Sequence, residues 1–189
     1  TKITQWLIRK INAALAVAGA PANLVVTVAE PSIENTNAMM AHPKVRMLVA
    51  TGGPGIVKAV LSSGKKAIGA GAGNPPVVVD QTADIVRAAR DIVNGASFDN
   101  NLPCTAEKEC IAVSSVVDLL RFHMVKYGAY EIRDAALLDK LQALVMDGKR
   151  PNTEWVGKPA SAILQGLGIA APAGTKLIIA ETPFEHPFV

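Results

Sequence analysis

A cysteine in a polar loop is the first residue of this sequence able to do chemistry. Cys104 ends the stretch Asp99-Asn100-Asn101-Leu102-Pro103-Cys104 and precedes Thr105-Ala106-Glu107-Lys108. A proline followed by residues that can form a first helical turn suits a helix N-terminus. Backbone N–H groups aimed at the sulfur there, with Lys108 adding its charge, would favour the thiolate. The thiolate is the nucleophilic form. The plainer reading, a buried and inert cysteine, also fits the spacing. Cys110 precedes an apolar segment and is expected in the core. Five residues separate the two cysteines. That matches no zinc spacing, and no histidine is near in sequence, so no metal site is expected. His42 precedes Pro43 and reads as a cap or surface residue. His123 lies in an apolar helix and reads as a satisfied core or surface histidine, and His186 as a loop residue. With no base beside Cys104, a papain-like Cys–His pair has no support.

Two glycine-rich segments are the other candidates. Thr51-Gly52-Gly53-Pro54-Gly55 lies between a predicted strand and a predicted helix. Such a turn lets a phosphate approach a helix N-terminus. It is neither GxGxxG nor a Walker A loop, and a plain tight turn fits equally well. Gly69-Ala70-Gly71-Ala72-Gly73 is five consecutive small residues. Such a run leaves room for something flat against the backbone, or forms a closely packed loop.

These candidates need elements to position them. Trp6, Leu7, Ile11, Leu15 and Ala18 recur at helical spacing, and Gly19 and Pro21 stop that helix. Leu24 to Val28 is a β-branched run, predicted as a buried strand. A second helix runs from Pro31-Ser32 to about Ala41, and Val45 to Ala50 is the next strand. Ile56 to Ser62 is a short helix, Pro75 to Asp80 a strand and Ala83 to Asn94 a helix. Beyond a polar stretch, Ile111 to Val117 reads as a strand. Helices follow over Asp118 to Tyr127 and Asp134 to Met146. A turn-rich linker, Asp147 to Asn152, leads to a helix over Ala160 to Leu167 and a strand over Lys176 to Glu181. This alternation predicts an α/β fold: a parallel sheet between two helical layers, three layers in all. The character changes near residues 96–100, where a domain boundary is expected.

The composition narrows the classes. The chain has 189 residues, half of them hydrophobic and 19% charged, with a net charge of +3. That is ample for a packed core and unlike a disordered tail. No Lys/Arg run is present and aromatics are 4% of residues, so nucleic-acid binding is not expected. Apolar runs fall short of the ~20 residues a membrane helix needs, so no membrane association is expected. Two cysteines and no signal-peptide pattern point to a reduced, cytoplasmic setting. The chain opens on Thr1 directly into an amphipathic helix, as if cut from something longer.

Three segments occur in order: Val49-Ala50-Thr51-Gly52-Gly53-Pro54, Ala67-Ile68-Gly69-Ala70-Gly71-Ala72-Gly73-Asn74-Pro75-Pro76, and Phe98-Asp99-Asn100-Asn101-Leu102-Pro103-Cys104-Thr105-Ala106-Glu107-Lys108. Together they closely resemble the CoA-acylating aldehyde dehydrogenases of the aldehyde dehydrogenase superfamily, in particular the propionaldehyde and acetaldehyde dehydrogenases of bacterial microcompartments. The resemblance extends over essentially the whole chain, which corresponds to less than half of a usual member. It implies that residues 1–97 form the second part of a Rossmann-like NAD-binding domain and residues 98–189 the first part of the catalytic domain.

The resemblance assigns Cys104 as the nucleophile. It assigns Thr51, Gly52 and Gly53 to the strand-to-helix turn where the cofactor sits, and Gly69, Ala70 and Gly71 to the segment facing the nicotinamide. NAD is the implied cofactor and coenzyme A the co-substrate. Hydrolytic relatives begin that second segment with a water-activating Glu, whereas this sequence has Gly69. With no carboxylate there to deprotonate water, an acyl-enzyme would survive until the CoA thiol arrives. The family's side-chain oxyanion donor, an Asn, would lie before Thr1, and the Glu that holds the nicotinamide ribose beyond Val189. The implied partners are a small aldehyde, coenzyme A and further copies of the chain as a dimer or tetramer. The implied setting is the cytoplasm or a microcompartment lumen, with shell or cargo proteins as neighbours. Two competing readings are a CoA-independent hydrolytic aldehyde dehydrogenase and a catalytically silent nucleotide-binding or assembly fragment.

Overall fold

The structure, a computed structural model, describes residues 1–71, 73–148 and 150–189. Ala72 of the small-residue run and Lys149 of the 147–152 linker lie outside the described residues. The chain divides into two compact units, Thr1–Ala72 and Gly73–Val189.

In the first unit, helix α1 (Lys2–Val17) starts at Thr1, whose hydroxyl accepts the Thr4 N–H at 3.3 Å. Helix α2 (Ile33–Ala41) starts at Ser32 in the same way, with Asn35 N–H 3.0 Å away. The expected strand at Leu24 to Val28 does not form. Its backbone finds other partners: Asn12 of α1 donates to Val25 O at 2.7 Å and accepts from Val25 N–H at 3.2 Å. Gln5 donates to Ala29 O at 2.6 Å. The segment is thus tied to helix side chains at Val25 and just after it at Ala29. Strand β1 (Met47–Thr51), helix α3 (Pro54–Leu61) and strand β2 (Lys66–Ala70) follow. β1 and β2 are parallel, with Ala50 opposite Gly69 and Thr51 opposite Ala70. Leu48 of β1 and Val60 of α3 are buried between these elements.

The second unit begins with β3 (Pro76–Val79) and α4 (Ile85–Ser97), which Asp84 caps by accepting Arg87 N–H at 3.1 Å. β4 (Glu109–Ala112) pairs parallel with β3, Val77 opposite Cys110. The ladder is extended by Val113 N–H to Val79 O, and helix α5 (Ser114–Lys126) starts at the next residue. The strand expected through Val117 therefore stops at Ala112. Val116 packs on the core cluster from a helix, tertiary burial overriding the β preference of a Val pair. β5 (Ala129–Ile132), not foreseen in the sequence, pairs parallel with β8 (Leu177–Ala180). Between them lie α6 (Ala135–Val145), a short antiparallel hairpin β6 (Met146–Asp147) and β7 (Arg150–Pro151), and α7 (Ala160–Gly166).

The core of this unit is Val79 of β3, Ala89, Ile92 and Val93 of α4, Leu120 and Met124 of α5, and Ala129 of β5. α4 places these residues on one face, as the sequence spacing requires. The molecule is α/β with parallel strands, paired two by two among the described residues. The β3–β4 pair joins residues on both sides of position 97, so α4 and the Cys104 loop share one packed scaffold.

Candidate active site

The two glycine-bearing segments of the first unit meet. Because β1 and β2 are parallel and in register, Thr51 and Ala70 end their strands side by side, and Gly52 N–H donates to Ala70 O at 3.0 Å. Thr51-Gly52-Gly53 and Gly69-Ala70-Gly71 thus form one edge at the carboxyl ends of two parallel strands. Ligands of open α/β sheets bind there. Helix α3 starts at this edge with Gly53 as its N-cap, no capping side chain, and Pro54 in its first turn. Its first amides point toward the edge.

The glycines of this edge differ. A Cβ on Gly53 or Gly71 would meet nothing within 4 Å, so the backbone there is open to a flat ligand. A Cβ on Gly52 would come within 2.8 Å of Ile56 Cγ2. One on Gly69 would come within 2.9 Å of Val57 Cγ1 and 3.4 Å of Leu61 Cγ. The side chains of Val57 and Leu61 thus occupy the space beside Gly69, and an added side chain there would have to shift them. Exposed amides, an uncapped helix N-terminus and open glycine faces suit the phosphates and rings of a dinucleotide.

The second unit carries the thiol. Cys104 is exposed and belongs to a turn, residues 103–106, closed by Ala106 N–H to Pro103 O at 3.1 Å. No helix starts at Thr105, so the expected helical turn behind the sulfur is absent. Ala106, 4% exposed, anchors the turn. Before it, Asp99, Asn100 and Asn101 all have left-handed backbone, with φ of 47°, 52° and 63°. Asx residues tolerate this conformation better than other non-glycine residues. Asn100 donates to Gly157 O at 3.0 Å, and Asn101 to Ala96 O at 2.6 Å and Glu107 O at 3.0 Å. Lys108 closes the loop from the other side. Its Nζ reaches Asn101 Oδ1 at 2.6 Å, and the carbonyls of Asn101, Pro103 and Ala106 at 3.1, 3.3 and 3.4 Å. The ammonium expected to act on the sulfur is occupied by backbone carbonyls. Gly73 lies against Cys104: an added Cβ would collide with the Cys104 carbonyl oxygen and come within 3.2 Å of Cys104 Cβ.

The remaining sequence candidates lie outside this loop. Cys110 is exposed on β4 rather than in the core, yet its packing pushes the thiol up from its ordinary range. His42 caps α2, and its Nδ1 accepts Lys44 N–H at 3.2 Å. His186 Nδ1 accepts Phe188 N–H at 3.2 Å. His123 is half-buried on α5, and its Nδ1 has no partner among the described residues, so it is not the satisfied histidine expected. Sequence reasoning missed the clamp formed by Asn101, Lys108 and Gly73. The one signal for it was three Asx residues in a row before Pro-Cys, counting Leu102 as a spacer. No described helix is long and apolar enough to cross a membrane.

Comparison with known proteins gives a consistent result. Residues 1–132 match the model of the aldehyde dehydrogenase family. The chain is 54% identical over 168 residues to a propanal dehydrogenase (CoA-propanoylating) of Salmonella typhimurium, covering 88% of this chain and 36% of that protein. Its fold superposes on a Rhodopseudomonas palustris propionaldehyde dehydrogenase with bound propionyl-CoA at a TM-score of 0.87 and 66% identity, over 97% of this chain and 41% of that one. It also superposes on a propionaldehyde dehydrogenase from the Clostridium phytofermentans fucose utilisation bacterial microcompartment, at a TM-score of 0.88 and 46% identity, over 99% of this chain and 43% of that one. The chain thus spans about two-fifths of the length of these relatives.

Proposed function

The chain belongs to the aldehyde dehydrogenase family, and on that premise we propose that its protein oxidises a short-chain aldehyde to the acyl-CoA through Cys104. The observation that carries this reading is an exposed thiol on a clamped turn, combined with glycine at position 69, which brings no carboxylate to that strand end. An acyl-enzyme with no base to activate water waits for a better nucleophile.

In this reading residues 98–189 are the first part of the catalytic domain and carry the nucleophile, and residues 1–97 are the second part of the NAD-binding domain. Thr51, Gly52, Gly53, Gly69, Ala70 and Gly71 hold the nicotinamide dinucleotide, whose phosphates the α3 amides attract. When bound, the dinucleotide supplies the hydride acceptor. The Cys104 thiolate adds to the aldehyde carbon and forms a thiohemiacetal. The Cys104 backbone N–H stabilises the oxygen that becomes negative. Loss of hydride leaves a thioester on Sγ. The thiol of coenzyme A, as thiolate, attacks that thioester, acyl-CoA departs and Cys104 is again a thiolate. The relatives named for propanal and propionaldehyde favour a three-carbon aldehyde, and the relative from a microcompartment favours a microcompartment setting.

The test is NADH appearance from propionaldehyde and NAD, with and without coenzyme A, on the full-length polypeptide. Turnover is expected only with coenzyme A, and Cys104→Ala is expected to lower it by at least about 10⁴-fold, with nucleotide binding retained. Equal turnover without coenzyme A would favour the hydrolytic reading and remove the argument from Gly69.

A further inference from the structure

The loop around Cys104 is held by one cation. Lys108 Nζ has four protein oxygens within 3.4 Å, all from residues 101–106. These residues bracket the thiol. The ammonium carries three N–H donors and no acceptor, so it draws carbonyls to one side of the loop. The lysine is itself fixed, because its backbone N–H donates to Pro75 O at 3.2 Å next to the β3–β4 ladder.

One of those carbonyls is that of Pro103, which also accepts Ala106 N–H. The described chain has no cis peptide, so the Pro103 C=O and the Cys104 N–H point in opposite directions from one plane. A carbonyl pinned toward Lys108 therefore turns the Cys104 N–H away from Lys108. Among the described residues no acceptor meets that N–H. We infer that Lys108 is a positioning residue: by holding the Pro103 carbonyl it aims the Cys104 backbone N–H at the oxygen of a carbonyl undergoing attack by Sγ. Lys108 touches neither substrate nor sulfur in this role. The inference rests on the reading of Cys104 as a nucleophile toward carbonyl carbon, and it gives the charge of Lys108 a task other than acidifying the thiol.

Two reagents separate this role from a merely structural one. Iodoacetamide alkylates a thiolate by displacement at saturated carbon and builds no oxyanion. p-Nitrophenyl acetate acylates the same thiolate through a tetrahedral oxyanion. In the full-length protein, both rates at Cys104 are followed by peptide-resolved mass spectrometry. Compared are the parent, Lys108→Met and Lys108→Gln. A lost oxyanion donor costs about 10²–10³-fold in rate, and a misaimed one less. The ratio of acylation to alkylation is expected to fall at least about fivefold in each variant that folds, while alkylation stays near the parent rate. A smaller fall in the ratio overturns the inference, and so does a loss of alkylation in step with acylation. If the ratio falls although the parent makes no NADH from aldehyde, NAD and coenzyme A, Lys108 keeps its role and only the proposed overall reaction fails.

Discussion

In Thr1–Ala72 the chemistry-bearing residues act through backbone: Thr51 to Gly53 and Gly69 to Gly71 offer amides and bare Cα faces at a strand edge. In Gly73–Val189 the loop carrying Cys104 is held by side chains, those of Asn100, Asn101 and Lys108. Of the buried apolar residues among those described, Leu48 and Val60 lie in the first unit and twelve in the second. On the proposed reading the Cys104 thiol must meet one carbon at one angle, which a packed base serves, because small misplacements of reacting groups are costly.

Three substitutions break or sharpen that contrast. Gly73→Ala has the largest expected effect. Its methyl would strike the Cys104 carbonyl and push the thiol loop off its position. A shift on the order of 1 Å can cost about 10²-fold, so kcat should fall by roughly that factor with the KM for NAD little changed. Steady-state kinetics on the full-length variant measures both.

The second tests the side-chain-held unit. Glu131 of β5, its side chain 12% exposed, pairs with Arg121 of α5 at 2.8 Å and Arg133 at 2.7 Å. Burial alone would raise the Glu131 carboxyl, but the hydrogen bond to Arg133 and the charges of Arg121 and Arg133 hold it below the usual range. A carboxyl lowered on folding adds stability above its unfolded pKa and loses it as pH falls through the folded value. Arg133 is exposed and adds little, so Glu131→Gln should cost about 1–2 kcal/mol at pH 7. The gap from the parent should close below pH 4 or so. Urea denaturation at several pH values measures it, and a gap independent of pH would contradict the assignment.

The third effect is the smallest and has the opposite sign. Gly55 sits in the first turn of α3, and an added Cβ meets nothing within 4 Å. Gly55→Ala should stabilise by roughly 0.5 kcal/mol through helix propensity, read as a raised urea midpoint. Destabilisation would mean that this glycine is needed for backbone geometry, as Gly52 and Gly69 are for packing.

Much of the molecule was legible in the sequence where one strong local signal sufficed. Ser32 and Asp134 announce helix starts, and the apolar face of α4 is continuous. The motifs flanking Gly52, Gly69 and Cys104 pointed to the family before any coordinates. What failed depended on partners distant in sequence. Leu24 to Val28 forms no strand, and the backbone of Val25 pairs instead with the side chain of Asn12, thirteen residues earlier. Ala129–Ile132 was missed because a four-residue strand mixing Tyr and Glu carries little pattern without β8 beside it. At the site, the sequence displays Lys108 but not its partners: three of its four acceptors are backbone carbonyls, which every residue has and no sequence pattern displays.

The turn before the thiol has one more consequence. From Asp99 to Asn101 the backbone winds in the hand opposite to that of a normal helix. Most L-residues resist that hand by about 1–2 kcal/mol apiece. These three positions therefore act as a chirality filter: the mirror-image forms of ordinary amino acids would sit there at ease. Ordinary L-residues would strain to unwind the turn and carry the Cys104 thiol away with it.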